Sequence, residues 1–488
     1  MKYEANLESV KKHEVPEWFH DAKFGIFIHW SLSSVPAFAV TGIDLVDSME
    51  KGIEVHFKNN PYAEWYLNSL RISGSPTQKY HEKTYGKEFS YDNFVAIFNK
   101  ESKKWNPNKM VELFKKAGAK YVILVTKHHD GFLLWPSKFP NPRKKNYYAS
   151  RDIVGKLSEA VKSTGMKMGF YYSGSLDWSF NPNPITNTAS FLTNGVITQK
   201  YIEYANNHWY ELIDRYEPMI LWNDIGYPPG TNLNEIFSYF YNKFPEGIIN
   251  DRWLQLPESV RENLKNLPEQ TLRENMKNAM KPKEKEETGT SRFFHYDFIT
   301  PEYAVIDKIF KTKWETCRGI GNSFGYNQFE TEGDYIKPEE LIKMFVDIVS
   351  KNGNLLLNVG PMADGTIPEI QKKILFEFGK WIEINGEAIY GTRPWSRAEG
   401  KTTDDIDIRF TQKADTLFIH LLGKPLNNEI TIESLHVPNN TRIQLLSQEK
   451  YLDWDQAGGD LKIILPKNLK DSAVYVFKIV PTPITSLT

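Results

Sequence analysis

"MILWNDIGYP" (residues 219–228) carries an apolar run into Trp222, Asn223 and Asp224, then breaks on a glycine and a proline. A run without polar alternation predicts a strand buried on both faces, as in a parallel sheet covered by helices. Its carboxylate end has two readings. Asp and Asn commonly open turns; alternatively, Asp224 is a reactive carboxylate held at the mouth of a barrel. Taken alone, the stretch favours the turn.

Similar runs recur along the chain: "FGIFIHW" (24–30), "YVILVTKHHDG" (121–131), "MKMGFYYSG" (166–174), "GIINDRW" (247–253), "CRGIGNSFGY" (317–326) and "NLLLNVGP" (354–361). Amphipathic stretches lie between them. In "NPNKMVELFKKAGAK" (106–120), Met110, Leu113, Phe114 and Ala117 share one helical face. Strand–helix alternation over some three hundred residues predicts an α/β chain with a (β/α)8-like, TIM-type barrel; a doubly wound open sheet is the competitor. No glycine-rich phosphate loop follows any of the runs, which counts against a nucleotide-binding sheet. The runs end on polar and aromatic residues: His29 and Trp30; His128, His129 and Asp130; Tyr171 and Tyr172; Trp222 and Asp224; Asp251, Arg252 and Trp253. In a barrel, all these ends open onto the face where active sites are built.

After residue 395 the character changes to short alternating stretches such as "DTLFIHLLG" and "AVYVFKIV", separated by Asn, Gly, Pro and Asp. That pattern predicts a C-terminal antiparallel β-sandwich domain over 396–488, behind a catalytic barrel over 1–395. A segment near 258–287, dense in Lys and Glu, predicts a charged, helical, solvated insertion, with a lid role as the lesser alternative.

Composition narrows the function. The 488 residues exceed one ordinary core. A formal charge of −1 offers no basic field for nucleic acid or an anionic membrane. Cys317 is the single cysteine, which excludes an internal disulfide framework and cysteine-rich metal sites. No apolar stretch has transmembrane length, and the charged N-terminus lacks a signal h-region. The expectation is a cytoplasmic protein, or an exported one whose signal peptide is absent from this chain. The 13 Trp and 25 Tyr supply packing, and also flat faces on which sugar rings stack.

Three chemistries can use carboxylates, histidines, aromatics and an arginine at one barrel mouth. A metal-dependent hydrolase would draw on His29, His128, His129 and Asp224. Adjacent strand residues point to opposite faces, however, so His128 and His129 need an irregular backbone to share an ion. A catalytically inactive, sugar-binding barrel would hold a ligand with the same residues. A retaining glycosidase needs two carboxyl groups in a polar, aromatic-lined pocket.

The glycosidase reading matches a specific resemblance. "WFHDAKFGIFIHW" (18–30) with "SVP" (34–36), "EWY" (64–66), "KAGAKYVILVTKHHDGFLLWPS" (116–137), "GFYYSGSLDW" (169–178), "LWND" (221–224), "KWETCRGIGNSFGYN" (313–327) and "LLLNVGPMADGTIP" (355–368) resemble the α-L-fucosidases of glycoside hydrolase family 29 from about residue 15 to 395. The resemblance implies a barrel followed by a β-sandwich, and retaining, exo-acting hydrolysis of terminal α-L-fucosides without metal or cofactor. It makes Asp224 the nucleophile and Glu315 of "KWE" the general acid/base, with Glu302 of "TPEY" and Asp297 of "HYD" as the other acids to consider. His29, Glu64, Trp65, His128, His129 and Tyr171 would line the sugar subsite, with Trp222 and Arg252 beside them. Of the adjacent Tyr171 and Tyr172, one should face the pocket. The implied partner is an α-L-fucosylated oligosaccharide or glycoconjugate, without nucleic acid or membrane, and a homo-oligomer is compatible with it.

Overall fold

Each apolar run becomes a strand because both of its faces find cover. In the computed structural model, described for residues 2–43, 52–282 and 294–483, the strands are β1 (Phe24–Ile28), β2 (Tyr121–Lys127), β3 (Lys167–Ser173), β4 (Ile220–Asp224), β5 (Ile248–Ile249), β6 (Trp314–Gly319) and β7 (Gly353–Val359). They form one parallel sheet in the order β5-β4-β3-β2-β1-β7-β6. Alternation sorts their side chains between two cores. Phe27, Tyr121, Ile123, Val125, Tyr171, Ile220, Trp222, Ile248, Cys317 and Leu356 pack inside the sheet's curve. Phe24, Ile26, Ile28, Val122, Leu124, Phe170, Tyr172, Leu221 and Leu355 pack outward. Helices that cover the outer face include Pro107–Lys116, capped by Asn106, and Ile153–Ser163, capped by Asp152.

The edges of this sheet, β5 and β6, are joined by a segment that carries no strand signature in the sequence. Asp297 N–H donates to Ile249 O of β5 (2.8 Å), and Ile299 N–H donates to Lys313 O (3.0 Å). The Glu315, Cys317 and Tyr303 amides then donate to Ile299, Pro301 and Cys317 carbonyls at 2.9–3.1 Å. Phe298 enters the inner core while Ile299 packs outward. Residues 297–303 thus act as the eighth stave of the barrel. The run "HYDFITPEY" hides this role, being short, of mixed polarity and interrupted by a proline that cannot donate to a ladder.

One glycine is required by close packing. A Cβ on Gly25 would lie 2.2 Å from the Tyr121 ring, so glycine there lets the phenol cross the barrel lumen.

Beyond helix Glu369–Asn385, strands β8 (Arg393–Lys401), β9 (Asp407–Lys413), β10 (Thr416–Leu421), β11 (Glu429–Ile432), β12 (Arg442–Leu445), β13 (Tyr451–Leu452), β14 (Trp454–Ala457), β15 (Asp460–Ile464) and β16 (Tyr475–Val480) follow. They form a six-stranded sheet, β13-β12-β16-β10-β9-β8, and a three-stranded sheet, β11-β15-β14, with antiparallel pairing. Leu417, Ile419 and Leu421 of the larger sheet share a core with Ile430, Ile432, Leu461 and Ile463 of the smaller. Phe418 and Val476, on the opposite face, join the barrel's outer core. The sandwich therefore packs sheet on sheet on one side and against the barrel on the other. Trp381 fixes the junction by donating to Val474 O (3.0 Å). Among the described residues, no helix is long and apolar enough to cross a membrane.

Candidate active site

At the C-terminal ends of the barrel strands lies a cavity of about 980 Å3, counting its open mouth. His29, Glu64, Trp65, His128, His129, Tyr171, Trp222, Asp224 and Arg252 all line it. Strand parity explains much of this convergence. Trp222 and Asp224 leave β4 on the inner face, two residues apart, and Tyr171 leaves β3 on the same face. Tyr172 points outward and bonds His208 Nδ1 (2.9 Å).

Asp224 is the last residue of β4 and is held from two sides. Tyr171 donates its hydroxyl to Oδ2 (2.8 Å), and Arg252 Nη1 donates to Oδ1 (2.9 Å). Arg252 is itself fixed by Thr300, through Oγ1 at 2.9 Å and the carbonyl at 3.0 Å, and its guanidinium lies 4.7 Å over the Trp222 ring. The carboxylate of "LWND" is therefore aimed into the cavity rather than spent on capping a turn.

The three candidate acids are separated by depth. Glu302, in the eighth stave, lines the cavity; its side chain is 22 % exposed. Tyr62 donates to its Oε1 (3.0 Å), and Arg252 Nη1 and Nη2 reach Oε2 at 3.5 and 3.4 Å. Burial raises its pKa, and the Arg252 charge opposes that rise. Because Arg252 Nη1 touches both carboxylates, Asp224 Oδ1 and Glu302 Oε2 lie within about 6.4 Å of each other.

Glu315 does not reach the cavity, which corrects the expectation placed on it. It is the second residue of β6, fully buried low in the barrel lumen, and is absent from the cavity lining. Its two oxygens accept from Trp222 Nε1 (3.1 Å) and the Tyr121 hydroxyl. It therefore buttresses, from below, the indole that floors the cavity. Burial pushes its pKa up to about 7, with the Tyr121 and Trp222 hydrogen bonds opposing. A carboxyl with a raised folded-state pKa favours the folded state most below its unfolded value, near 4.5, and loses that contribution as pH rises through about 7. Since glutamine does not titrate, the melting temperature of wild type relative to Glu315→Gln should fall between about pH 4.5 and 7. A constant difference across that window would contradict the assignment.

Asp297 also lies outside the cavity lining. It is completely buried beside His13 Nδ1 (2.8 Å) and His295 Nε2 (3.3 Å), and accepts from Tyr241 (2.8 Å) and the Ile249 amide (2.7 Å). Burial alone would raise its pKa, but His295 and His13 outweigh it and hold the group well below the ordinary carboxylate range. Asp297 is thus a charged anchor for the eighth stave. His13, His295 and Asp297 are also the one set of three His, Cys, Asp or Glu donors close enough to hold an ion among the described residues. None of the three lines the cavity.

Both His128 and His129 face the cavity, where regular alternation would have parted them. The cause is a register shift. Val125 pairs with Tyr171 and Lys127 with Tyr172, so Thr126 is extra on β2. A bulge of this kind re-aims the side chains beyond it. Lys127 turns outward to Asp177 (2.9 Å) and Tyr201 (2.8 Å). His129 then bonds Ser173 Oγ (2.7 Å) through Nδ1, with its ring 5.3 Å from Trp65. Burial lowers the pKa of both histidines well below the usual value, and lowers that of His29 to about 4. Asn358 Nδ2 donates to Phe324 O (2.7 Å), so its Oδ1 accepts from His29 Nδ1 (2.6 Å). His29 Nε2 is left as a lone-pair acceptor. Three neutral imidazoles thus offer both donors and acceptors. Glu64, raised by burial to about 8, accepts from the Gly325 amide (2.7 Å).

Sequence reasoning missed the cavity's outer residues: Ile53, His56 and Phe57, Thr188 and Phe191, and Met276. They lie on connections, where no periodicity announces a role. Met276 belongs to the charged insertion. Its helices, Glu258–Lys265 and Glu269–Met280, dock onto the 188–195 segment while most of their residues stay exposed. Arg261 donates to Thr193 O (3.1 Å), and Glu269 accepts from the Thr188 amide (3.2 Å) and hydroxyl. Residues 283–287 of the expected insertion lie outside the described residues.

The family model described as Alpha-L-fucosidase matches residues 1–387. The alpha-L-fucosidase of Dictyostelium discoideum is 33 % identical over 405 residues, 81 % of this chain and 75 % of its own. The tissue alpha-L-fucosidase of Homo sapiens is 30 % identical over 463 residues, 93 % of this chain and 85 % of its own. Among solved structures, the Thermotoga maritima alpha-fucosidase in complex with fucose is 41 % identical with a TM-score of 0.82, covering 98 % of this chain and 100 % of that one. Because the family match runs through every stave of the barrel and both carboxylates at its mouth, this chain belongs to the alpha-L-fucosidases of glycoside hydrolase family 29.

Proposed function

We propose that this enzyme removes terminal α-L-fucosyl groups with retention of configuration, Asp224 acting as nucleophile and Glu302 as general acid/base. The observation that carries this reading is the shared Arg252 contact. It keeps one oxygen of each carboxylate within about 6.4 Å, a limit that admits the roughly 5–5.5 Å separation of a retaining pair. In the first step an Asp224 oxygen attacks the anomeric carbon while the glycosidic C–O bond breaks and Glu302 gives its proton to the departing oxygen. In the second, ionised Glu302 takes a proton from water, whose oxygen displaces Asp224 and releases α-L-fucose. Arg252 and Tyr171 stabilise the carboxylate each time it leaves.

The polar wall suits a deoxy sugar. Neutral His29, His128 and His129 can donate to and accept from hydroxyls, and Phe27, Trp222 and Phe324 supply apolar surface for a methyl group. The barrel core under Trp222 closes the inner end, which favours exo attack on a terminal residue of an α-L-fucosylated oligosaccharide or glycoconjugate. Proton NMR during hydrolysis of an aryl α-L-fucoside tests the reading. The α-anomer of fucose should appear first and mutarotate later; β-fucose as the first product would overturn it.

A further inference from the structure

The strand-end groups account for recognition of one sugar ring, yet the cavity continues outward along an apolar wall. That wall is built by Ile53 and Phe57 of helix Ile53–Lys58, Phe191 of helix Thr188–Thr193, Ile225 just after β4, and Met276 of helix Glu269–Met280. His56 is its titratable member among the described residues, and burial keeps it neutral. Aromatic rings connect the two ends of the cavity. Trp65 lies 5.3 Å from His129 at the polar end, 5.8 Å from Phe57 and 6.4 Å from Phe191 in a near-parallel stack, and Phe57 lies 6.1 Å from Phe191.

We propose that this wall is the aglycone subsite, and that it takes a leaving group presenting a flat, uncharged apolar face: the C–H face of a second sugar ring in a natural fucoside, an aryl ring in a synthetic one. The proposal rests on the fucosidase reading above. Nucleophilic attack by Asp224 requires the glycosidic oxygen on the far side of the anomeric carbon, toward Glu302. With the inner end closed, the aglycone extends toward the cavity mouth, whose lining includes this wall. Phe57 and Phe191 line it with aromatic surface, and no carboxylate or cation stands among these wall residues to hold a charged group. Met276, unbranched and polarisable, suits a surface that must fit varied aglycones. The docked insertion then has a use: the Glu269 contact holds the helix that presents Met276 at this wall, and the Arg261 contact holds the helix before it.

Comparing kcat/KM for p-nitrophenyl α-L-fucoside and α-L-fucosyl fluoride tests this, because the fluoride carries no aglycone ring. In Phe191→Ala and in Met276→Ala, the ratio of aryl fucoside to fluoride should fall about tenfold. Residual fluoride turnover shows at the same time that each variant is folded. A ratio within roughly twofold of wild type in both variants overturns the proposal. A wild type inert toward both substrates removes the fucosidase reading itself, and the proposal with it.

Discussion

Asp224→Ala loses about 10³-fold or more of kcat on every α-L-fucoside, whatever the leaving group, because both chemical steps pass through this carboxylate. The loss should not be one of folding. Asp224 lies at a cavity wall, and Arg252 keeps Glu302 as a counter-charge at 3.4 Å and its Thr300 contacts. A small anion admitted into the vacated space attacks from the nucleophile's side. Added azide should therefore restore turnover of fucosyl fluoride and give the β-azide. Activity close to wild type without added azide would end the assignment.

Glu302→Ala separates its two duties. With a poor leaving group, loss of proton donation should cost about 10²–10⁴-fold. With the fluoride, fucosylation needs little acid assistance, and the slow step becomes attack by unassisted water on the fucosyl-enzyme. Azide then accelerates turnover and gives the α-azide, the opposite anomer from Asp224→Ala. The pH profile carries a second signature. Glu302 must be protonated for the first step, so wild-type activity falls as pH rises through its pKa, and burial sets that fall above the ordinary glutamate range. The variant should lack this basic limb. Glu315→Gln makes a contrast: its carboxyl touches Trp222 and not the cavity, so any activity loss should be alike for good and poor leaving groups, without azide rescue.

Most strands of the barrel were legible because burial on both faces writes them as apolar runs; β6, "WETCRG", is not such a run and was expected three residues late. Parity then carried Asp224, Trp222 and Tyr171 to one side of the sheet without further information. The eighth stave was illegible for a physical reason. Its hydrogen bonds to β5 and β6 are tertiary, and in "HYDFITPEY" the apolar pair Phe298 and Ile299 is too short, and too soon followed by Pro301, to read as a buried strand. The resemblance of "KWE" pointed to Glu315, and strand placement offered nothing against it. A strand begun at Cys317 leaves Glu315 in a preceding loop, free to reach a pocket. The strand in fact begins at Trp314, which puts Glu315 at the wrong end for catalysis in a barrel that works from its C-terminal face. Glu302, at the end of the hidden stave, obeys that rule. The bulge at Thr126 was equally invisible, so the joint placement of His128 and His129 could not be deduced from alternation. The insertion's charge pattern described its solvent face correctly and was silent on the contacts through Thr188, Thr193 and Met276.

Covalent trapping tests the nucleophile most directly. A 2-deoxy-2-fluoro-α-L-fucosyl fluoride slows both steps while retaining an excellent leaving group, so the fucosyl-enzyme accumulates. Peptide mass spectrometry of the inactivated protein should place one fluorofucosyl group on Asp224 and on no other residue. A label on Glu302 or Glu315, or inactivation without any covalent label, would contradict the assignment of Asp224 as nucleophile.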